Sequence, residues 1–147
     1  MACVNETTAA LRFFGDDLDP DAISALLGAL PTWGRRKGES WVSGRGVQRT
    51  ARSGQWQLEA ARRQPGDLDS QIAELLSPLT TDLVVWKRLA ARFSGDIYCG
   101  LFMGKSNEGL ELRSETLVMI GSRGLLLGFD IYGALPEEDD APKGETM

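Results

Sequence analysis

Histidine is absent from this 147-residue chain. That removes imidazole as a general base or metal ligand, and with it every Ser-His or Cys-His nucleophile pair. Cysteine is nearly absent, with Cys3 and Cys99 alone. They form no C-x-x-C, so neither a zinc site nor a redox pair is encoded, and two such isolated thiols point to a reducing, cytoplasmic compartment. Long hydrophobic runs are also missing. Apolar stretches last a few residues, against the roughly 20 that span a bilayer as a helix. The polar start, Met1 to Thr8, has neither the basic nor the apolar region of a secretion signal. No membrane segment is expected, and nothing in the residue pattern asks for a metal or a cofactor.

What is present fits a folded domain. Hydrophobic residues make up 42% of the chain and charged residues 25%, the balance of a globular protein. A chain of this length buries about 68–70% of its unfolded surface, enough for a core without staples. Residues 1–135 are expected to form one α+β domain, and residues 136–147 an acidic, disordered tail carrying Glu137, Glu138, Asp139 and Asp140.

The net charge of −5 hides an asymmetry. Between Arg35 and Arg63, eight basic residues face only Glu39 and Glu59, which predicts a local basic surface.

Periodicity supplies the elements. Thr7–Phe14 alternates with Ala9, Leu11 and Phe13 on one side, a strand. Asp19-Pro20 opens a helix with Ile23, Leu26, Leu27 and Leu30 along one stripe, and Gly28 or Pro31 ends it. Pro31–Gly38 is expected to be a loop, Trp41-Val42 a short strand and Ser43–Gly54 a polar connection. Gln55–Ala60 alternates cleanly around Trp56 and Leu58, a half-buried antiparallel strand. Two helices follow, around Leu68–Leu79 and Trp86–Phe93. The near-continuous apolar run Ile97–Met103 suits a strand inside a sheet. Lys105–Gly109 reads as a hairpin turn into a short strand at Leu110 and Leu112. Ser114 is expected to cap a fourth helix, and Leu125–Tyr132 closes the fold as a strand. The predicted order is β-α-β-β-α-α-β-β-α-β. It implies a largely antiparallel sheet of about six strands with helices on one face, and a ferredoxin-like β-α-β-β-α-β centre.

The candidate site is the segment Pro31–Gly38, which sets Arg35, Arg36 and Lys37 between Gly34 and Gly38, with Thr32 and Trp33 just before them. Guanidinium and ammonium donors beside permissive backbone suit a carboxylate or phosphate. The ordinary alternative is a solvated turn with surface charges, and the G-x-x-x-x-G-K-[ST] phosphate loop is not there. Trp33, Trp41 and Trp56 interleave with arginines, as in surfaces that stack bases, but Trp41 and Trp56 have core-like positions, so nucleic acid ranks last among the partners. Asp130 interrupts the final apolar strand and is the one carboxylate placed to act as acid or base; an outward strand position is the plainer explanation. Cys99, among apolar neighbours, is expected to be a packed thiol.

The segments Leu11-Arg12-Phe13-Phe14-Gly15, Leu18-Asp19-Pro20, Pro31-Thr32, Lys37-Gly38, Trp56, Ile72-Ala73-Glu74-Leu75-Leu76 and Leu127-Gly128-Phe129-Asp130-Ile131-Tyr132 follow one another as they do in a known family. Over most of residues 9–132 the chain resembles the family called domain of unknown function 4279, small bacterial proteins. The resemblance implies a compact α+β domain, bacterial and cytoplasmic, and supplies no catalytic residues. The doubled arginine before Lys37 and the long acidic tail depart from it. The expected function is a non-enzymatic binding module that meets an acidic protein surface through its basic loop. The alternative is an enzyme or sensor for a small anionic ligand, with Asp130 as acid or base.

Overall fold

The structure is a computed structural model that describes residues 3–135; the expected acidic tail, 136–147, lies outside them. The elements run β1 (Glu6–Gly15), α1 (Pro20–Leu27), β2 (Trp33–Arg35), β3 (Ser40–Val42), β4 (Gln48–Thr50), β5 (Gly54–Glu59), α2 (Leu68–Leu76), α3 (Leu83–Arg92), β6 (Ser94–Phe102), α4 (Ser114–Ser122) and β7 (Leu126–Tyr132). Among the described residues no helix is long and apolar enough to cross a membrane.

The alternation in β1 sends Leu11 and Phe13 into the core and Arg12 and Phe14 to the other face. The register with β5 and β6 extends that split, because directly paired residues share a face: Phe13 faces Trp56, and Leu11 faces Ile97. All four helices add to this one core, through Ile23 and Leu27, Ile72 and Leu76, Trp86 and Leu89, and Ile120. Phe13 is the hinge of the packing, with ring centres 6.2 Å from Trp56 and 6.3 Å from Trp86. Both buried indoles keep a partner, since Trp56 Nε1 donates to Ser24 Oγ at 3.0 Å and Trp86 Nε1 to the Thr80 carbonyl at 2.8 Å. Gln71, fully buried, is also satisfied: it accepts from Thr7 Oγ1 and donates to the carbonyls of Thr7 and Ala61.

Three of the four helices among the described residues start at a capping aspartate, the first of them the expected Asp19. Asp19, Asp67 and Asp82 accept from backbone N–H groups of the first turns of α1, α2 and α3. Gly28 ends α1 in the left-handed region, φ 82°. The fourth differs. Ser114 is the first residue of α4 rather than its cap; Arg113 holds the cap position with no side-chain bond, and its N–H donates to Asp69 Oδ1 at 2.8 Å.

The main sheet has five strands in the order β2-β5-β1-β6-β7, and β3 and β4 form a separate two-stranded ribbon. This corrects both the expected count of about six and the expected order. Two strands, β2 and β4, lie inside segments expected to be loops. β2 forms because β5 has a free edge: Thr32 N–H donates to the Gln57 carbonyl at 2.8 Å, and the Glu59 N–H donates to Thr32 Oγ1 at 2.8 Å. One expected strand is missing. β6 already pairs with β1 on one side and β7 on the other, so no edge remains for a hairpin after Lys105–Gly109. Leu110 and Leu112 instead pack against the core, and the Gly109 carbonyl accepts from Val4 N–H at 3.0 Å.

β6 lies inside the sheet, as its apolar run implies, but only one of its faces is covered. β2 runs parallel to β1 with β5 between them, and β6 runs parallel to β5 with β1 between them. β7 then adds in parallel to β6 after α4. With the helices gathered at the core face, no helix among the described residues covers the other face of the sheet.

Candidate functional site

The open face divides into a self-satisfied centre and an unsatisfied edge. At the centre, Arg12 binds Asp96 through both arms, at 2.9 and 2.6 Å, and lies over the rings of Phe14 and Tyr98, 4.9 and 4.2 Å from their centres. The Asp96 hydrogen bond is the chief cause that raises the Arg12 pKa above its ordinary value. Along β5, Gln55 donates to Gln57 and Gln57 to Glu59, each at 2.8 Å. These groups bond to one another.

The edge at β2 is different. Trp33 and Arg35, two residues apart, point to the open face opposite Gln57 and Gln55. Trp41 and Arg49 are direct partners across the β3–β4 ribbon, so they share its face. The Arg35 guanidinium carbon sits 3.7 Å from the centre of the Trp41 ring and 4.6 Å from that of Trp33. A guanidinium between two indoles keeps its N–H donors at its rim, in one plane, where a carboxylate or phosphate accepts two at once. Phe14, Arg49 and Arg52 complete a cleft of about 430 Å³. Among the described residues, no carboxylate pairs with Arg35, Arg49 or Arg52.

The six sequence candidates separate into four places. Trp33 and Arg35 line the cleft. Arg36 and Lys37 do not: Arg36 meets Asp19 at 2.6 Å, Asp21 at 3.3 Å and Glu39 at 3.7 Å, and Lys37 meets Asp16 at 3.3 Å. Their charge is balanced at the start of α1. Thr32 spends its hydroxyl oxygen on the Glu59 N–H, fastening β2 to β5. Gly34 serves packing as well: a Cβ there would lie 2.8 Å from Pro20 Cβ, so the close approach is to α1.

Asp130 stands on β7, at the opposite edge of the sheet from β2, with β5, β1 and β6 between them. At roughly 4.8 Å per strand that is about 19 Å, so no single pocket joins Asp130 to the basic loop. It is exposed, and its carboxylate accepts from the hydroxyls of Tyr98 and Tyr132. The bond from Tyr98 is the main reason that phenol is pushed up to about 12. Cys99 is fully buried, and desolvation pushes its thiol up to about 12, far from the reactive range. Among the described residues, no three acidic or cysteine side chains gather as a metal-ligand set.

Sequence reasoning misplaces the weight of Trp41, Arg49 and Arg52. Trp41 reads as a core residue, yet it is half-buried and covered on a ring face by Arg35. The signal available is the density of arginine around tryptophan from residue 33 to 52. What stays hidden is the ribbon that folds those residues together.

No curated protein and no solved structure matches the chain. The family described as Domain of unknown function (DUF4279) matches residues 5–134, nearly the whole of the described structure. This chain, with its open-faced sheet and arginine–tryptophan cleft, belongs to that family.

Proposed function

We propose that the protein is a non-enzymatic binding module that holds an acidic group of a partner protein in the cleft of Trp33, Arg35, Trp41, Arg49 and Arg52. The observation that carries this reading is convergence. Among the described residues nine cations meet no carboxylate, and three of them, Arg35, Arg49 and Arg52, line one cleft together with two indoles. Uncompensated cations kept side by side repel one another, and an anionic partner relieves that repulsion. The half-buried indoles beside them supply apolar area of the kind that dominates interface energetics. The basic loop thus contributes Trp33 and Arg35 to the contact, and Arg36 and Lys37 brace its base.

The finer fold reading supports a rigid platform. The pairing β2-β5-β1-β6, with two split crossovers, is the pattern of a ferredoxin-like unit extended by β7. Two free thiols, Cys3 and Cys99, agree with a reducing bacterial cytoplasm.

A second reading, a sensor for a small anion, is favoured by the cleft volume, which falls in the range of small-molecule sites. It uses the same arginines and leaves Asp130 aside.

The test is affinity purification of the tagged protein from its own cells, with mass spectrometry of what comes with it. The expected result is a stoichiometric acidic partner, lost with Arg35→Glu/Arg49→Glu and kept with Arg36→Glu/Lys37→Glu. Co-purification of an anionic metabolite alone moves the assignment to the sensor. Equal recovery by both double variants removes the cleft from consideration.

A further inference from the structure

The two edges of the main sheet are unlike. β2 is three residues long and carries Gly34 and Arg35, a short and charged edge of the kind that resists pairing. β7 is seven residues long, Leu126 to Tyr132, with no proline and no lysine, and Asp130 is its one charge. Leu126, Phe129, Ile131 and Tyr132 are 64%, 43%, 62% and 49% exposed. Leu117 and Val118 of α4 are exposed as well, at 48% and 66%.

The hydrogen-bond phase of β7 is fixed. The Tyr132 carbonyl accepts from Met103 N–H at 3.0 Å, so Tyr132, and with it Asp130, Gly128 and Leu126, turn their backbone groups toward β6. Leu127, Phe129 and Ile131 therefore turn theirs outward, and among the described residues none pairs with them.

We infer that β7 pairs antiparallel with β7 of a second copy across a two-fold axis at Phe129, joining two five-stranded sheets into one of ten. The sequence of the edge is self-complementary in that register. Phe129 opposes Phe129 of the second copy, and Leu127 opposes Ile131, so the outward-facing residues form hydrogen-bonded pairs that exchange both backbone bonds. Their side chains lie on the core-side face, where apolar meets apolar. On the open face, Asp130 opposes Gly128, which keeps the two carboxylates from standing directly opposite each other, and Leu126 opposes Tyr132. An isologous contact of this kind closes on itself and does not propagate. The chain's own continuation is a poorer occupant: Pro136 lacks a donor, and Glu137 to Asp140 present four carboxylates to an apolar edge. The arginine–tryptophan cleft, at the other edge, stays free in such a dimer.

Sedimentation of the full chain over a dilution series tests this. The expected mass is twice the 16.0 kDa of the chain, falling to 16.0 kDa in Ile131→Lys, which puts an ammonium opposite Leu127, and in Phe129→Pro, which removes an outward N–H. Far-UV circular dichroism checks that both variants keep their fold. If either loses it, the crosslink decides: Phe129→Cys in a Cys3→Ser background is joined into a covalent dimer by a short bis-maleimide, because the Cβ atoms of a hydrogen-bonded pair stand about 5.5 Å apart, beyond the reach of an unstrained disulfide. A wild-type mass of 16.0 kDa throughout the series, a dimer unaffected by both folded variants, or no crosslink in the Phe129→Cys variant overturns the inference.

Discussion

Arg35 lies over the ring of Trp41, its guanidinium carbon 3.7 Å from the ring centre, although the two belong to different sheets. The contact ties the β3–β4 ribbon to the edge of the main sheet, and it shapes the cleft. An exposed cation–π contact is worth about 0.5–1 kcal/mol, so Arg35→Ala is expected to lower unfolding stability by about 1 kcal/mol in urea titration. Arg35→Lys keeps the charge but loses the planar fork, and is expected to weaken partner binding roughly tenfold. A loss of several kcal/mol in stability would mean that Arg35 is a structural residue rather than a binding one.

Gly34 sets the position of that cleft. A Cβ at residue 34 would meet Pro20 Cβ at 2.8 Å and the Gln55 carbonyl at 3.3 Å, both firm neighbours. Gly34→Ala is therefore expected to cost about 1–3 kcal/mol by forcing β2 away from α1. Chemical denaturation measures the cost, and near-UV circular dichroism reads the displaced tryptophans. Unchanged stability would show that α1 and β2 are looser than this packing requires.

Tyr98 and Tyr132 are the only two tyrosines, and both donate to Asp130. Ionising Tyr98 would set a phenolate against a carboxylate, so the folded chain holds its proton up to about 12, against 10.0 for a free phenol. Because the folded value is the higher one, the stability this contact lends is whole below pH 10 and is lost as the pH rises through about 12. Absorbance at the phenolate band is expected to show one late-titrating tyrosine that returns toward its ordinary value in Asp130→Asn. Identical titration in wild type and variant would show that Asp130 does not hold the phenol.

Cysteine reactivity separates the two thiols. Cys3 is exposed, and Cys99 is sealed between β1 and β7 on the core face. A thiol-specific chromogenic reagent at mildly alkaline pH is expected to modify one cysteine in the native protein and both in denaturant. Rapid modification of both in the native state would show that β6 opens readily to solvent.

The strands and helices with strong periodicity are legible in the residues alone. Leu11 and Phe13 mark the buried side of β1, the alternation around Trp56 marks β5, and Asp19-Pro20 marks the start of α1. These signals are local, because side-chain period and capping chemistry are written in neighbouring residues. β2 and β4 leave no such mark. Gln48-Arg49-Thr50 is polar throughout, and Trp33-Gly34-Arg35 has a single apolar side chain, so neither shows a buried face. Each becomes a strand only because a neighbouring strand offers unpaired backbone groups. The expected strand at Leu110 and Leu112 fails for the converse reason, since β6 has no edge left to offer.

The candidate site divides along the same line. Residue order is enough to establish that this chain has no imidazole chemistry, that its cations crowd between Arg35 and Arg63, and that tryptophans and arginines share one short stretch. Which of those cations are free is settled only by folding. Arg36 and Lys37 are indistinguishable from Arg35 in the sequence, yet α1 and the turn before it bring Asp16, Asp19 and Asp21 to them and leave Arg35 to the indoles. Strand order likewise puts Asp130 an entire sheet away from the basic loop. Charge is a property of a residue, but whether that charge is balanced depends on what the fold brings within a few ångströms of it.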